Sequence, residues 1–390
     1  MELGFLSPLY ERPGPWASVC FGTSFTTEDA AARHELSARA AGEQLAEQGA
    51  DSKTCRAVYE ALAALPRTDA PAGRAVFAAD GEVVLDPALA EEPPGGLQTW
   101  WAPLPHTAPL LELADGHPSC LVAYIDRTGA DFELRGPLGA ASAGTVTGEE
   151  WPLNRTASKD WSERRFQQGV EDTWERNAAV VAENLAACRT ETGAELIVLA
   201  GDPRQRRAVR DRLPESDRAV AAETEFGGRA EGSSSPQLEA EIEELRAAHA
   251  RRRVEATVDR FLAARAPDTE GRLDAVEGTP ALVDAAREHR IATLLVRPDA
   301  PETHREVWVG REPDQVAVRR TEVQYLGDTD PEPARADDAL LRSAAVTGAE
   351  VLSVGAVAKA DGDLPAGGLG ALLRWPVESE GRAENRTPES

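Results

Sequence analysis

The run Glu195-Leu-Ile-Val-Leu-Ala-Gly-Asp-Pro203 decides the fold class. Residues 196–200 are apolar without alternation, the pattern of a strand covered on both faces in an α/β sheet. Gly201 breaks the run, and Asp202 with Pro203 opens a helix carrying Arg204, Arg206, Arg207, Arg210 and Arg212. A proline in the first turn is a helix-start signal. A buried strand that turns straight into a helix predicts a mixed α/β (α+β) chain.

Upstream, Leu121-Val-Ala-Tyr-Ile125, Ala130-Asp-Phe-Glu-Leu134 and the segment around Thr145-Val-Thr147 alternate with turns such as Arg127-Thr-Gly129 and predict a β meander. Between it and the buried strand lies the polar loop Asn154-Arg-Thr-Ala-Ser-Lys-Asp160, which runs into a long helix. Phe166, Val170, Trp174, Ala178, Val181, Leu185 and Cys188 recur at steps of three and four and give that helix one apolar face. Asp160 and Glu163 have the spacing of a capping box. A polar loop mounted on a rigid helix is where function tends to sit. Downstream, the Gly/Ser-rich segment 227–236 precedes a charged helix expected over 237–266, with Leu238, Ile242, Leu245, Val254, Val258 and Leu262 inward and Arg251, Arg252 and Arg253 together.

The flanks read as further α/β units. Residues 1–115 predict a buried strand over Trp16–Phe21, a helix over 29–48 with Leu36 and Leu45 on its apolar side, and a second helix over 55–65. Asp80-Gly81 is a hairpin signal between Val76-Phe77 and Val83–Leu85, and the paired Trp100-Trp101 beside prolines are expected to pack a domain edge. Beyond Ala266–Gly271, a helix over 279–287, a buried strand over 291–296, a helix over 335–345 and further short strands suggest a small three-layer α/β domain. The expected domains are thus 1–115, 118–266 and 268–376, with a polar tail 377–390 expected to be disordered.

The net charge of −25 argues against general affinity for nucleic acid, DNA included. Its distribution is uneven. Residues 151–265 hold 19 Lys+Arg against 21 Asp+Glu, residues 1–150 hold 9 against 22, and residues 266–390 hold 14 against 24. Any RNA contact therefore belongs to the middle of the chain. The four cysteines are scattered without a Cys-x-x-Cys pair, as expected of reduced thiols. Met1–Pro8 lacks the basic start and apolar run of a signal peptide, and no stretch reaches the roughly 18 apolar residues of a membrane span. A cytoplasmic, monomeric protein is expected.

Motifs for chemistry are missing: no Gly-x-Gly-x-x-Gly, no phosphate-binding Gly-x4-Gly-Lys-Ser/Thr, no Gly-x-Ser-x-Gly elbow, and no His or Cys spacing suited to a metal. Neither a metal nor another cofactor is expected.

The order of the parts is informative. Asp126-Arg-Thr-Gly129 between strands, the polar loop feeding an Arg-bearing helix at 154–188, Leu196–Asp202, Glu225-Phe-Gly-Gly228 before the long helix, and Gly271–Thr279 before 281–296 together resemble the archaeo-eukaryotic release factor and Pelota superfamily. Arg12-Pro-Gly-Pro-Trp16 further resembles its bacterial branch, which includes Balon-like ribosome hibernation factors. The resemblance implies a ribonuclease-H-like middle domain, followed by a domain like the kink-turn-binding ribosomal proteins. It also implies that residues 1–115 lie toward the decoding centre of a ribosome, that the 154–165 segment lies toward the peptidyl transferase centre, and that 268–376 docks a translational GTPase such as elongation factor Tu.

In release factors of this superfamily the loop matching 154–160 carries Gly-Gly-Gln, the hydrolytic motif. Here Ala157-Ser-Lys-Asp-Trp161 stands in its place, and Gly-Gly-Gln occurs nowhere in the chain. The expectation is a ribosome-binding hibernation factor that blocks the A site and has no catalytic residues. Arg155, Lys159, Asp160, Trp161, Arg164 and Arg165 are its RNA-facing residues, and Arg204, Arg206, Arg207, Arg251, Arg252 and Arg253 form a secondary set. The alternative is a peptidyl-tRNA hydrolase or tRNA-cleaving rescue factor, for which Lys159 and Asp160 are the candidates.

Overall fold

β1 (Trp16–Gly22) is buried along its whole length because each of its two faces has its own cover. Ala17, Val19 and Phe21 point one way, toward Ala38, Ala41 and Leu45 of α2 (Ala30–Glu47) and Val58 and Leu62 of α3 (Ser52–Ala63). Trp16 and Cys20 point the other way, into a cluster with Leu6 and Leu9, the latter on the short helix α1 (Ser7–Tyr10). The period-two alternation of a strand assigns the faces. Antiparallel partners β2 (Gly73–Ala79), β3 (Glu82–Leu85) and β5 (Gln98–Ala102) give the order β3-β2-β1-β5, and β4 (Ala88–Leu89) pairs with β2. The hairpin falls at the expected place, where Asp80 and Gly81 both take positive φ, 49° and 79°. Leu36 departs from expectation: it is 62% exposed, because α2 buries the stripe of Ala38, Ala41 and Leu45 instead. Helix α4 (Ala108–Asp115) follows.

The computed structural model describes residues 4–23, 30–64, 72–89, 92–93, 96–115, 118–136, 139–147, 162–227, 235–298, 300–355 and 365–378. These residues form two compact units. Residues 116–250 make one, and residues 1–115 with 251–390 make the other. The boundary at 250–251 lies inside α8 (Pro236–Ala264), ahead of the break expected near 266–268.

The middle unit holds β6 (Cys120–Ile125), β7 (Gly129–Gly136), β8 (Gly139–Thr147), α5 (Ser162–Thr192), β9 (Leu196–Gly201), α6 (Pro203–Arg210), α7 (Glu215–Ala219) and β10 (Ala221–Glu223). Strands β6, β7 and β8 form the expected meander, while β9 and β10 add on in parallel, giving the order β10-β9-β6-β7-β8. Counted from β8, this is the third-second-first-fourth-fifth order, with helices on both faces, of the ribonuclease-H-like arrangement. Ile197 and Leu199 pack toward Ala178, Val181 and Leu185 of α5, whereas Leu196, Val198 and Ala200 pack toward Leu238 and Ile242 of α8. The unalternated run at 196–200 thus has the meaning assigned to it. Arg135 on β7 grips Glu239 of α8 through two hydrogen bonds of 2.6 and 3.2 Å, fixing that helix on the sheet.

The C-terminal half of the other unit is three-layered. Its sheet runs β11 (Arg272–Glu277), β17 (Leu369–Glu378), β12 (Ile291–Val296), β16 (Glu350–Ser353). Leu295, Leu352 and Leu372 meet Val254 and Phe261 of α8, while Leu294 and Val296 join the cluster that holds α9 (Thr279–Arg287) and α11 (Ala336–Thr347). A small antiparallel sheet, β14 (Val316–Ala317), β13 (Glu306–Val309), β15 (Glu332–Arg335), and helix α10 (Arg320–Tyr325) complete it. Val377 and Glu378, expected in the tail, end β17, and residues 379–390 lie outside the described residues. One apolar cluster joins this half to residues 1–115, containing Trp16, Phe77 and Leu111 as well as Leu282, Leu340 and Val351. Among the described residues no helix is long and apolar enough to cross a membrane.

Candidate functional site

The polar segment singled out in the sequence, residues 154–160, precedes α5, and α5 is anchored well. Ala178, Val181, Ala182 and Leu185 are buried against the sheet, and Asn177 Nδ2 donates 3.1 Å to the carbonyl of Arg127 in the β6–β7 turn. That turn is tightly made: Asp126 Oδ1 accepts from Thr128 N at 2.7 Å, Thr128 Oγ1 at 2.8 Å and Gly129 N at 2.9 Å. The Arg127 guanidinium lies 4.8 Å from the centre of the Trp174 ring, in cation–π range. Arg127 is exposed, and it stands beside the helix that the loop feeds. It was not among the expected RNA-facing residues, although the Asp126-Arg-Thr-Gly129 turn itself was a legible signal.

Arg155, Lys159, Asp160 and Trp161 lie outside the described residues, as does the Asp160 end of the expected capping box. Arg164 and Arg165 fall in the first turn of α5. On α6, Asp202 caps the helix through a 3.0 Å bond from Arg204 N. The side chains of Arg204 and Arg207 are exposed, with no ion pair among the described residues, whereas Arg206 is buried. On α8, Arg251 and Arg252 are exposed, but Arg253 is paired with Glu350 of β16. Burial raises the Glu350 pKa, yet the hydrogen bond and charge of Arg253 outweigh it and hold the carboxyl below its ordinary range. Of the secondary set, four arginines face water, while Arg206 and Arg253 are turned to the protein itself.

A second polar cluster is buried within the unit of residues 1–115 and 251–390. His106 Nδ1 lies 3.0 and 3.1 Å from the two carboxylate oxygens of Asp338, and its backbone N donates 2.9 Å to Ser18 Oγ. The Trp100 ring covers the imidazole at 4.3 Å between centroids. Burial pushes the Asp338 carboxyl up to about 6, against the opposing pull of His106. Asp337 is bound by the Arg335 guanidinium. Ligand atoms of His106, Asp337 and Asp338 lie within 4.8 Å of one another, a set that could hold a metal ion. Its oxygens are already answered by Arg335 and His106, so the cluster reads as a closed hydrogen-bonded network. The 232 residues separating His106 from Asp338 kept it out of reach of spacing rules.

Residues 119–267 match the family Bacterial archaeo-eukaryotic release factor family 2. This part of the chain is similar to that family. The release-factor-like stretch covers the whole five-stranded sheet, α5 and its loop, and α8. Two curated proteins of Mycobacterium tuberculosis, Uncharacterized protein MT2704 and Uncharacterized protein Rv2629, are each 28% identical over 375 residues, covering 94% of this chain and 95% of theirs. Among solved structures, the archaeal translation termination factor aRF1 aligns over 95% of this chain and 96% of its own at 15% identity and a TM-score of 0.24. A model of ribosome-bound archaeal Pelota and ABCE1 aligns over 96% of this chain and 94% of its own at 16% identity and a TM-score of 0.40.

Proposed function

We propose that this release-factor-like protein is a ribosome-binding hibernation factor, one that occupies the A site of idle ribosomes without hydrolysing peptide. One observation supports this most. Residues 119–267 match a release-factor family, yet the loop leading into α5 reads Asn154-Arg-Thr-Ala-Ser-Lys-Asp160 and the chain contains no Gly-Gly-Gln. The loop keeps its place before the helix and lacks the hydrolytic residues, so its role is to fill the peptidyl transferase centre. Arg155, Lys159, Arg164 and Arg165 contact phosphate and Trp161 stacks on a base. Arg204, Arg207, Arg251 and Arg252 add charge along the same part of the chain. Residues 1–115 face the decoding centre, and 268–376 bind a translational GTPase of the elongation factor Tu kind.

Co-sedimentation with ribosomes over a salt series, with and without elongation factor Tu, tests this reading. A bound fraction that declines with salt and grows with the GTPase is expected, because phosphate contacts are salt-dependent. Absence of a bound fraction in every condition ends it. Release of peptide or of a CCA fragment by the wild type, lost in Lys159→Ala or Asp160→Ala, would instead establish the rescue enzyme.

A further inference from the structure

Arg342, on α11, is 5% exposed and has only one of its donor edges in use. Its Nη1 donates 2.9 Å to the carbonyl of Gly310, while Nε and Nη2 are buried with no hydrogen-bond partner among the described residues. These two nitrogens form the side-on fork of a guanidinium, the edge that offers two parallel N–H groups to a carboxylate. Buried donors left unmet are costly, so a ligand acceptor there would be favoured. Burial also lowers the guanidinium pKa to about 10. The side chain stands in the wall of an open cavity of about 1380 Å³ within the unit of residues 1–115 and 251–390. The fork itself is buried, so a ligand carboxylate would meet it only through a turn of the Arg342 outer torsions toward the cavity.

The other walls select the ligand. Arg12 is tied to Glu82 at 2.7 Å, Asp330 to Arg320 at 3.4 Å, and Asp328 accepts the backbone N–H groups of Arg311 and Asp330. The carboxylates of Glu11, Glu312 and Glu332 line the cavity with no ion pair among the described residues, and the charge of Glu312 reaches Arg342. A surplus of carboxylates repels phosphate dianions and favours a ligand that brings its own cation. Prolines 13, 15, 103, 105 and 313 give the cavity rigid apolar surface for the remainder of the ligand.

We infer that this cavity binds a basic amino acid, free or as the C-terminal residue of a short peptide, with its carboxylate on the Nε/Nη2 fork of Arg342 and its cationic amine on Glu312. The site is separate from the release-factor-like stretch and does not rest on the ribosomal reading.

Titration calorimetry on the full chain tests it with four probes: L-lysine, the tripeptide Ala-Ala-Lys, its C-terminal amide, and inorganic phosphate. Saturable binding of L-lysine identifies a free amino acid as the ligand, and binding of the tripeptide alone identifies a peptide end. The amide should bind at least tenfold more weakly than the free acid, and phosphate not at all. Arg342→Lys keeps the charge but loses the fork, and should abolish binding. Glu312→Gln alters an exposed side chain, should keep the wild-type unfolding midpoint, and should weaken binding about tenfold. No saturable heat with lysine or tripeptide, equal affinity for the amide, binding of phosphate, or wild-type affinity in either variant overturns the assignment. Should Arg342→Lys fail to fold, the amide and Glu312→Gln decide it.

Discussion

Asp338 puts a titratable group where water cannot reach it, and its effect on stability has a definite sign. The folded carboxyl holds its proton up to about 6 rather than the ordinary 3.8, so the stability it lends is complete below that ordinary value and is lost as pH rises through about 6. Asp51, Asp268, Glu302, Asp328 and Glu350, whose pKa values are lowered, act in the opposite sense at lower pH. The difference between wild type and Asp338→Asn isolates the one group. Thermal unfolding from pH 3.8 to about 6 should show the wild type losing stability relative to the variant, and parallel curves would refute it. Gly201 is a second decisive position. It sits at φ 143°, and a Cβ there would come 2.2 Å from the carbonyl oxygen of Ile125. Gly201→Ala should destabilise by about 2–4 kcal/mol in denaturant unfolding, since it combines backbone strain with a clash against a paired strand.

At the scale of the element, α5 shows what a periodic pattern conveys. The three-and-four spacing of Ala178, Val181, Leu185 and Cys188 marked its inner face, and the first three of these are buried. Leu185, fully buried, should cost about 2–5 kcal/mol when changed to alanine, whereas Val180, 42% exposed one step around the helix, should cost under about 0.5 kcal/mol. Chemical unfolding of the two variants checks the contrast. The strands at 16–21, 121–125, 196–200 and 291–296 were equally legible, because burial on both faces removes polar residues from the local sequence. Leu36 was misread because α2 is rich in alanine, and alanine marks no face by itself. The link of His106 with Asp338 and the shared cavity of Arg342 with the N-terminal prolines left no local trace. Nothing near either partner reports which distant segment will cover it. Of the candidate site, the helix α5 was legible, whereas the Arg127–Trp174 contact appeared only when turn and helix came together.

For the whole molecule, charge sets the limits on association. A body of net charge −25 can approach RNA only through local basic groups, so each arginine or lysine that truly meets phosphate should be visible in the salt dependence. Changing Arg155, Lys159, Arg164 or Arg165 singly to alanine should reduce the salt slope of ribosome binding by about 1, with little effect from Arg206→Ala beyond any loss of stability. Equal slopes for wild type and all four loop and helix variants would remove this segment from the interface.

The core that joins residues 1–115 to the C-terminal half also imposes a delay during synthesis. Trp16, Cys20, Phe77, Leu6 and Leu9 leave the translating ribosome early, yet the residues that cover them, such as Leu282, Leu340 and Val351, follow only after the 135 residues of the middle unit. At about 5–20 residues per second that interval lasts roughly 7–27 s. The middle unit, continuous in sequence, can fold as it emerges, while the older segment waits with a bare apolar face. During that interval the early apolar face has no intramolecular cover, and chaperone depletion should lower the yield of folded chain more than for the middle unit alone.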